Sequence, residues 1–199
     1  MSIVFDENLD QFCLETANTS YIIGLADHRT FVGHVYYGRR VRRQDLRYLL
    51  RTGEAPFVPS GNERECCSCY DTFPAEYSGN GVGDYRESSI AVRTQAGQHA
   101  VMPTYVSYEI TDQKPELPGL PSAFDREHTA QTLILRCRDE VLQLDVDLYY
   151  TVFEENDMIT RSVRISNQSK EAVYLTKAYS ACMDMDDDAY EMLTLHGSS

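Results

Sequence analysis

The chain has 199 residues, and its 31 acidic residues outnumber its 18 basic ones, which gives a formal net charge of −13. A hydrophobic fraction of 42% can form the core of one large or two small domains and excludes wholesale disorder. The negative charge argues against nucleic-acid binding, and no apolar run approaches the roughly 20 residues of a membrane span. Residues 1–10 lack a basic start and an apolar stretch, so we expect no secretory signal and a cytoplasmic protein.

The first forty residues consist of short β-rich runs separated by Asp, Asn, Gly and His, which favour turns. The predicted strands are 3–5, 12–16, 21–25 and 31–37. The composition then changes, and residues 38–88 form a long stretch rich in Gly, Pro, Ser and charge, with a hint of a helical turn at 46–50. Such a stretch is typically functional, an interface element or disordered. We therefore expect residues 38–83 to pack loosely and to be partly stabilised by another subunit.

The second half of the chain has the clearest strand periodicity. A strand is predicted at 90–94, a Pro-rich irregular stretch follows at 114–123, and a four-stranded antiparallel meander is predicted from 131 to 184. Within it, alternate residues of one strand are apolar: Leu142, Leu144, Val146, Leu148 and Tyr150. The fold class is all-β, a two-layer antiparallel β-supersandwich with long irregular loops, and the 199 residues form one domain with the long loop 38–88.

Three local patterns invite a ligand-binding interpretation, and a simpler one is favoured for each. Cys66, Cys67 and Cys69 lack the second, separated pair that a zinc site normally has, so loop thiols are favoured. The acidic run 184–188 lacks the glycine and distal glutamate of a calcium loop and is typical of a solvated strand end. Gly79, Gly81 and Gly83 neither follow a strand nor open a helix, which indicates a tight loop rather than a dinucleotide site. No metal, cofactor or catalytic residue is predicted.

Two sets of charged residues are harder to explain as ordinary surface side chains. Arg161 shares the parity of Ile159 and Val163, so simple alternation points its guanidinium into the core. Because a buried charge is costly unless it is paired, Arg161 requires a carboxylate partner, several carbonyl partners or an outlet to solvent. Asp84 and Arg86 follow a Gly-rich turn, where they could lock the loop as a bidentate pair or hold a polar ligand; the locking role is favoured.

Several short motifs occur in a fixed order along the chain: GHVYYG at 33–38, GDYRE at 83–87, GLP at 119–121, ITRS at 159–162, and the ending 190–197 with LHG. The set resembles the N-terminal region of bacterial and fungal α-galactosidases of glycoside hydrolase family 36. The resemblance implies an N-terminal β-supersandwich, a central (β/α)₈ barrel and a C-terminal β domain. It also implies retaining hydrolysis of terminal α-galactosyl residues of melibiose and raffinose by two barrel aspartates. No barrel motif occurs within residues 1–199, so we expect an incomplete sandwich that is inactive alone.

The same resemblance implies a homo-oligomer, a tetramer in relatives, in which a loop of one subunit approaches its neighbour's active site. The corresponding loop lies within 51–57, and the resemblance assigns sugar contacts to Glu54 and Phe57. An ordinary surface loop is the alternative for these two residues. For the chain as a whole, the alternatives are a free-standing carbohydrate-binding or structural β-sandwich and, more remotely, a related sandwich from a sugar-active phosphorylase or lyase.

Overall fold

The computed structural model describes residues 2–50, 73–82, 84, 86–120, 122–125, 129–183, 189, 191, 193 and 194. Within these ranges there are ten β-strands, three short 3₁₀ helices and no α-helix. The strands are β1 Ile3–Asp6, β2 Gln11–Glu15, β3 Thr19–Ala26, β4 Phe31–Arg39, β5 Ile90–Thr94, β6 Thr104–Thr111, β7 Gln131–Asp139, β8 Leu144–Phe153, β9 Met158–Asn167 and β10 Val173–Ala178. The 3₁₀ helices are Arg47–Leu49, Asn80–Val82 and Glu154–Asn156.

Two four-stranded antiparallel sheets, β1-β2-β3-β4 and β6-β7-β8-β9, share one hydrophobic core. Phe12 and Leu14 of the first sheet and Leu133 and Leu135 of the second have no exposed surface. The rings of Phe12 on β2 and Tyr108 on β6 meet edge to face, with centroids 5.1 Å apart. A third, two-stranded sheet pairs β10 with β5. The predicted fold class, all-β with antiparallel sheets in a sandwich-like arrangement, is confirmed.

The predicted meander is right for three strands and wrong for the fourth. β7, β8 and β9 pair in succession as expected, but β10 leaves the sheet and pairs with β5. The remaining edge position is taken by β6, whose Tyr108 and Ile110 lie opposite Leu135 and Leu133 of β7. Alternation of apolar residues predicts that a segment is a strand, but it does not say which neighbour the strand pairs with.

The long stretch 38–88 is more closely packed at its described ends than expected. Leu46, Leu50, Phe73 and Glu76 are all at most 5% exposed, so the expectation of loose packing is wrong for these residues. The intervening residues 51–72 lie outside the described residues. Gly33 on β4 explains part of this packing, since a Cβ there would stand 2.7 Å from Leu50 Cδ2 and 2.6 Å from Phe73 Cζ. Both residues that flank 51–72 therefore rest against the same point of β4.

The glycine-rich segment after Phe73 is a tight loop. The amide of Gly81 donates to the carbonyl oxygen of Val101 at 2.9 Å, and a Cβ on Gly81 would lie 2.8 Å from that same oxygen. A Cβ on Gly79 would overlap it as well. These two glycines allow the loop to approach the backbone of Val101, so the tight-loop interpretation is confirmed for them. Gly83 lies outside the described residues.

The described residues contain neither a metal-binding cluster nor a membrane-spanning helix. No three His, Cys, Asp or Glu side chains within the described ranges are grouped as a metal ion would require. Cys66, Cys67, Cys69 and the acidic run 184–188 fall outside those ranges. The described part of the chain also contains no helix with the length and apolar character that a membrane crossing requires.

Candidate functional site

A buried ion pair lies between the two large sheets. Nη2 of Arg161, on β9, is 2.9 Å from Oε1 of Glu76, which lies within the long stretch 38–88. The Glu76 side chain has no exposed surface and that of Arg161 is 9% exposed. Simple alternation on β9 predicts an inward guanidinium with a carboxylate partner, and that prediction is confirmed.

Two tyrosines complete the coordination of this pair. The hydroxyls of Tyr21, on β3, and Tyr150, on β8, donate to Glu76 Oε1 at 2.5 and 2.9 Å. Arg161 in turn donates to both tyrosine oxygens at 3.2 Å and to the carbonyl oxygen of Cys182 at 3.2 Å. Its guanidinium also stands 4.7 Å from the centre of the Tyr150 ring. Arg161 and the Oε1 atom of Glu76 are thus satisfied by hydrogen bonds as well as by each other, which makes their burial tolerable, whereas Glu76 Oε2 has no hydrogen-bond partner among the described residues.

His34, on β4, approaches the other carboxylate oxygen. Its Nδ1 atom is 3.3 Å from Glu76 Oε2, and its ring meets that of Tyr21 with centroids 5.0 Å apart. The histidine is 7% exposed. The cluster of Glu76, Arg161, Tyr21, Tyr150 and His34 therefore joins β3, β4, β8 and β9 to the segment that follows residues 51–72. Because it is enclosed, we assign it a structural role, which is to hold that segment in the core.

The ionisation of the cluster follows from burial and from opposing charge. Burial alone would raise the pKa of the Glu76 carboxyl, but the charge of Arg161, the adjacent His34 and the hydrogen bond from Tyr21 outweigh it, and the pKa is lowered. Burial, followed by the adjacent Glu76 charge, raises the pKa of Tyr21 and of Tyr150 well above the usual tyrosine range. The folded protein thus contains an ionised glutamate and neutral tyrosines, which act as hydrogen-bond donors.

Acidification should weaken the protein through Glu76. Since its pKa is lower in the folded state, its contribution to the unfolding free energy is complete above the ordinary Glu pKa of about 4.3 and disappears as the pH falls through the folded value. Urea unfolding at pH values from about 7 to about 3 should show the stability advantage of the native protein over Glu76→Gln shrinking below about pH 4.3. A stability difference that stays constant over this range would contradict the lowered pKa.

A second ion pair locks the loop that precedes β5. Arg86 binds Asp84 through Nε at 3.0 Å and Nη2 at 2.8 Å, and its Nη2 also donates to the carbonyl oxygen of Phe73 at 2.6 Å. The Asp84 side chain is 4% exposed. The bidentate pair that the sequence predicts is therefore present, and it fixes Phe73, the first described residue after 51–72.

The two residues predicted to contact sugar, Glu54 and Phe57, lie outside the described residues, so their assignment stays a prediction. The structure describes their surroundings on both sides. Leu50 and Phe73 are 5% and 3% exposed and belong to one hydrophobic cluster on the first sheet.

Comparison with known proteins identifies the family to which the chain belongs. Residues 30–198 match the model of the glycosyl hydrolase family 36 N-terminal domain. The chain belongs to this family. It is 36% identical to alpha-galactosidase Mel36A of Lactobacillus acidophilus over 98% of its own length and 27% of that protein. The resemblance inferred from the five short motifs is therefore confirmed.

Solved structures agree with the family assignment. The alpha-galactosidase of Lactobacillus brevis superimposes with a TM-score of 0.83 at 32% identity, over 92% of this chain and 25% of that one. A variant of alpha-galactosidase AgaA of Geobacillus stearothermophilus in complex with raffinose gives 0.77 at 30% identity, over 86% and 24%. The chain thus spans about a quarter of the length of the relatives it matches.

Within this family 36 domain, the sequence indicated only part of the buried cluster. Arg161 stood out because it breaks the alternation of β9. Glu76 gave no comparable signal because an acidic residue is ordinary in an irregular segment, and His34 and Tyr21 gave none because neither residue type is unusual within a strand. The one available clue was indirect, since an inward arginine requires a carboxylate that is far away in the sequence.

Proposed function

We propose that the chain is the N-terminal, non-catalytic part of a retaining α-galactosidase that hydrolyses terminal α-D-galactosyl residues of melibiose- and raffinose-type sugars. The observation that carries the proposal is the family match over residues 30–198, together with relatives about four times as long. In such an enzyme the sandwich is a scaffold, and the carboxylate pair that performs retaining hydrolysis lies elsewhere.

Most of the six buried carboxylates among the described residues are held by arginines, which supports a scaffold role. Glu76 is bound to Arg161, and Asp84 to Arg86. Glu15 is 8% exposed at its side chain and lies 2.8 Å from Nη2 of Arg43. A general acid requires a carboxyl group that can take up and release a proton beside the substrate, whereas these three are held as counter-ions of arginines.

Glu54 and Phe57 would form the functional contribution of the domain. We propose a cytoplasmic homo-oligomer, a tetramer, in which the loop 51–57 of one subunit reaches the sugar site of its neighbour. The Glu54 carboxylate would accept hydrogen bonds from sugar hydroxyls, and the Phe57 ring would cover an apolar face of the sugar. Residues 1–199 would be one domain of this assembly, incomplete as a sandwich.

Kinetics of the complete enzyme test this role. In the α-galactosidase that contains these residues, Glu54→Gln should raise KM for raffinose by roughly ten- to a hundredfold, because a hydrogen bond to a charged group contributes about 1.5–3 kcal/mol, while kcat changes little. The matched control is Glu140→Gln, whose carboxylate is 73% exposed at a hairpin turn. An unchanged KM in Glu54→Gln would show that Glu54 does not contact the sugar.

The broader proposal has its own test. The complete native protein should hydrolyse a chromogenic α-galactoside, and residues 1–199 alone should not. A complete protein without this activity, or a native protein that ends at Ser199, would instead favour a free-standing carbohydrate-binding or structural sandwich.

A further inference from the structure

A small cavity of about 30 Å³ lies between the second sheet and the segment that includes Glu76 and Tyr77. Its walls are formed by the start of β4, by residues between 75 and 84, by the chain just before β6, and by Cys137, Val146 and Leu148 of β7 and β8. A water molecule needs roughly 10–15 Å³ of such space, whereas organic ligands occupy sites of about 300 Å³ or more. The cavity therefore has room for one or two water molecules only.

Hydrogen bonds hold the walls of the cavity in place. On one side, the amide of Gly81 donates to the carbonyl oxygen of Val101 at 2.9 Å, and Asp84 is bound by its arginine. On the other side, Cys137 and Val146 are partners in the ladder of β7 and β8. Because each wall is fixed by its own hydrogen bonds, a shift of one wall cannot close the space between them.

Tyr77 lines this cavity and brings a buried hydroxyl group to it. The residue is 7% exposed, and its hydroxyl oxygen has no hydrogen-bond partner among the described residues. Burial raises the pKa of Tyr77 to about 12, so the hydroxyl is neutral and can donate at ordinary pH. A buried hydroxyl without a partner loses the hydrogen bonds that it makes to solvent in the unfolded chain, and native proteins rarely leave one so.

We propose that the cavity is an internal hydration site, in which a water molecule accepts a hydrogen bond from the Tyr77 hydroxyl. Asp84 also lines the cavity and is the natural acceptor for this water, since its side chain is 4% exposed. A carboxylate has about four acceptor positions, and three donors of Arg86 (N, Nε and Nη2) bind Asp84, which leaves one position for the water. The water would thus tie Tyr77 to the loop that precedes β5. This site does not depend on the proposed catalytic function, because its residues all belong to the sandwich.

Electron density for the complete native protein, at a resolution that shows ordered water, tests the site directly. We expect a single water peak in the cavity at about 2.7–3.0 Å from the Tyr77 hydroxyl oxygen. In Tyr77→Phe this peak should disappear, because a buried water needs several polar partners and one of them is removed. The matched control is Tyr174→Phe, which changes a tyrosine that is 49% exposed on β10 and should keep the peak.

The sign of the stability change provides a second readout. Tyr77→Phe should lower the ratio of folded to unfolded protein in urea unfolding by roughly fivefold, since a hydrogen bond to the buried water is lost. Tyr174→Phe should change this ratio by less than roughly threefold. If the Tyr77 hydroxyl had no partner, its removal would raise the ratio instead.

Four outcomes would overturn the proposal: no peak beside Tyr77 in the native protein, a peak that persists in Tyr77→Phe, density too large for a water molecule, or a folded-to-unfolded ratio that Tyr77→Phe leaves unchanged or raises. A complete protein without α-galactosidase activity would refute the proposed function and leave the hydration site unaffected.

Discussion

Replacing Glu76 by Gln should lower the free energy of unfolding by about 3–5 kcal/mol, because the substitution leaves the Arg161 guanidinium in the core without its counter-charge. The distance between the two groups is 2.9 Å, and their side chains are 0% and 9% exposed, so water cannot replace the lost carboxylate. The tyrosine hydroxyls can still donate to the amide oxygen, which limits the damage to the charge itself. Urea unfolding at neutral pH measures the change.

An exposed pair on the second sheet provides the matched control. Glu109 and Arg136 are 2.6 Å apart, but their side chains are 49% and 38% exposed, so Glu109→Gln should cost less than about 1 kcal/mol. The double variant Glu76→Gln/Arg161→Met should be less destabilised than the sum of the two single variants, because the second change removes the unpaired charge. If the stability losses of the two single variants simply add, or if Glu76→Gln loses no more stability than Glu109→Gln, then the buried pair does not hold the segment around Glu76 in the core.

The sequence predicts those elements whose signal is local. Strand 90–94 and the meander strands β7, β8 and β9 follow from alternation, because one face of each strand lies in the core and must be apolar. The inward position of Arg161 can also be predicted from its own strand, because a charged residue there interrupts the apolar face of β9. These predictions succeed because the period of a strand is set by its own backbone.

The missed features are all long-range. β10 pairs with β5, about 80 residues earlier in the chain, and nothing in either segment marks the other as its partner. Glu76 lies 85 residues before Arg161, in a stretch whose composition is that of a surface loop. Its burial depends on Gly33, which leaves room for the returning chain at Phe73, and on the tyrosines of two other strands. Only the assembled sheets bring these groups together.

The candidate sites divide in the same way. The family resemblance suggested Glu54 and Phe57 through the order of short motifs, and it could be recognised without any knowledge of the fold. The cluster around Glu76 could not be found as a whole in this way, because its residues come from four strands and an irregular segment that are adjacent only in space. Sequence reasoning finds sites whose residues are contiguous or motif-bound, and it misses those assembled by packing.

Phe12→Ala should destabilise the sandwich by about 3–5 kcal/mol, an effect as large as that at Glu76 but of a different origin. Phe12 has no exposed surface and stacks on Phe5 of the neighbouring strand with centroids 4.3 Å apart. It also contacts Tyr108 of the opposite sheet. Removing the ring therefore leaves a cavity between two sheets whose strands are fixed by their own ladders and cannot collapse into it, and the lost transfer free energy and the cavity add together.

Two comparisons separate this packing effect from other causes. Phe12→Leu keeps most of the apolar volume and should recover more than half of the loss, whereas the exposed Phe124, 80% accessible, can be replaced by Ala with a change below about 0.5 kcal/mol. Unlike the loss at Glu76, the loss at Phe12 should be the same at pH 7 and below about pH 4.3, because no ionisable group is removed. If Phe12→Ala unfolds with the native midpoint, the two large sheets do not depend on this contact, and the shared core described above is not what holds them together.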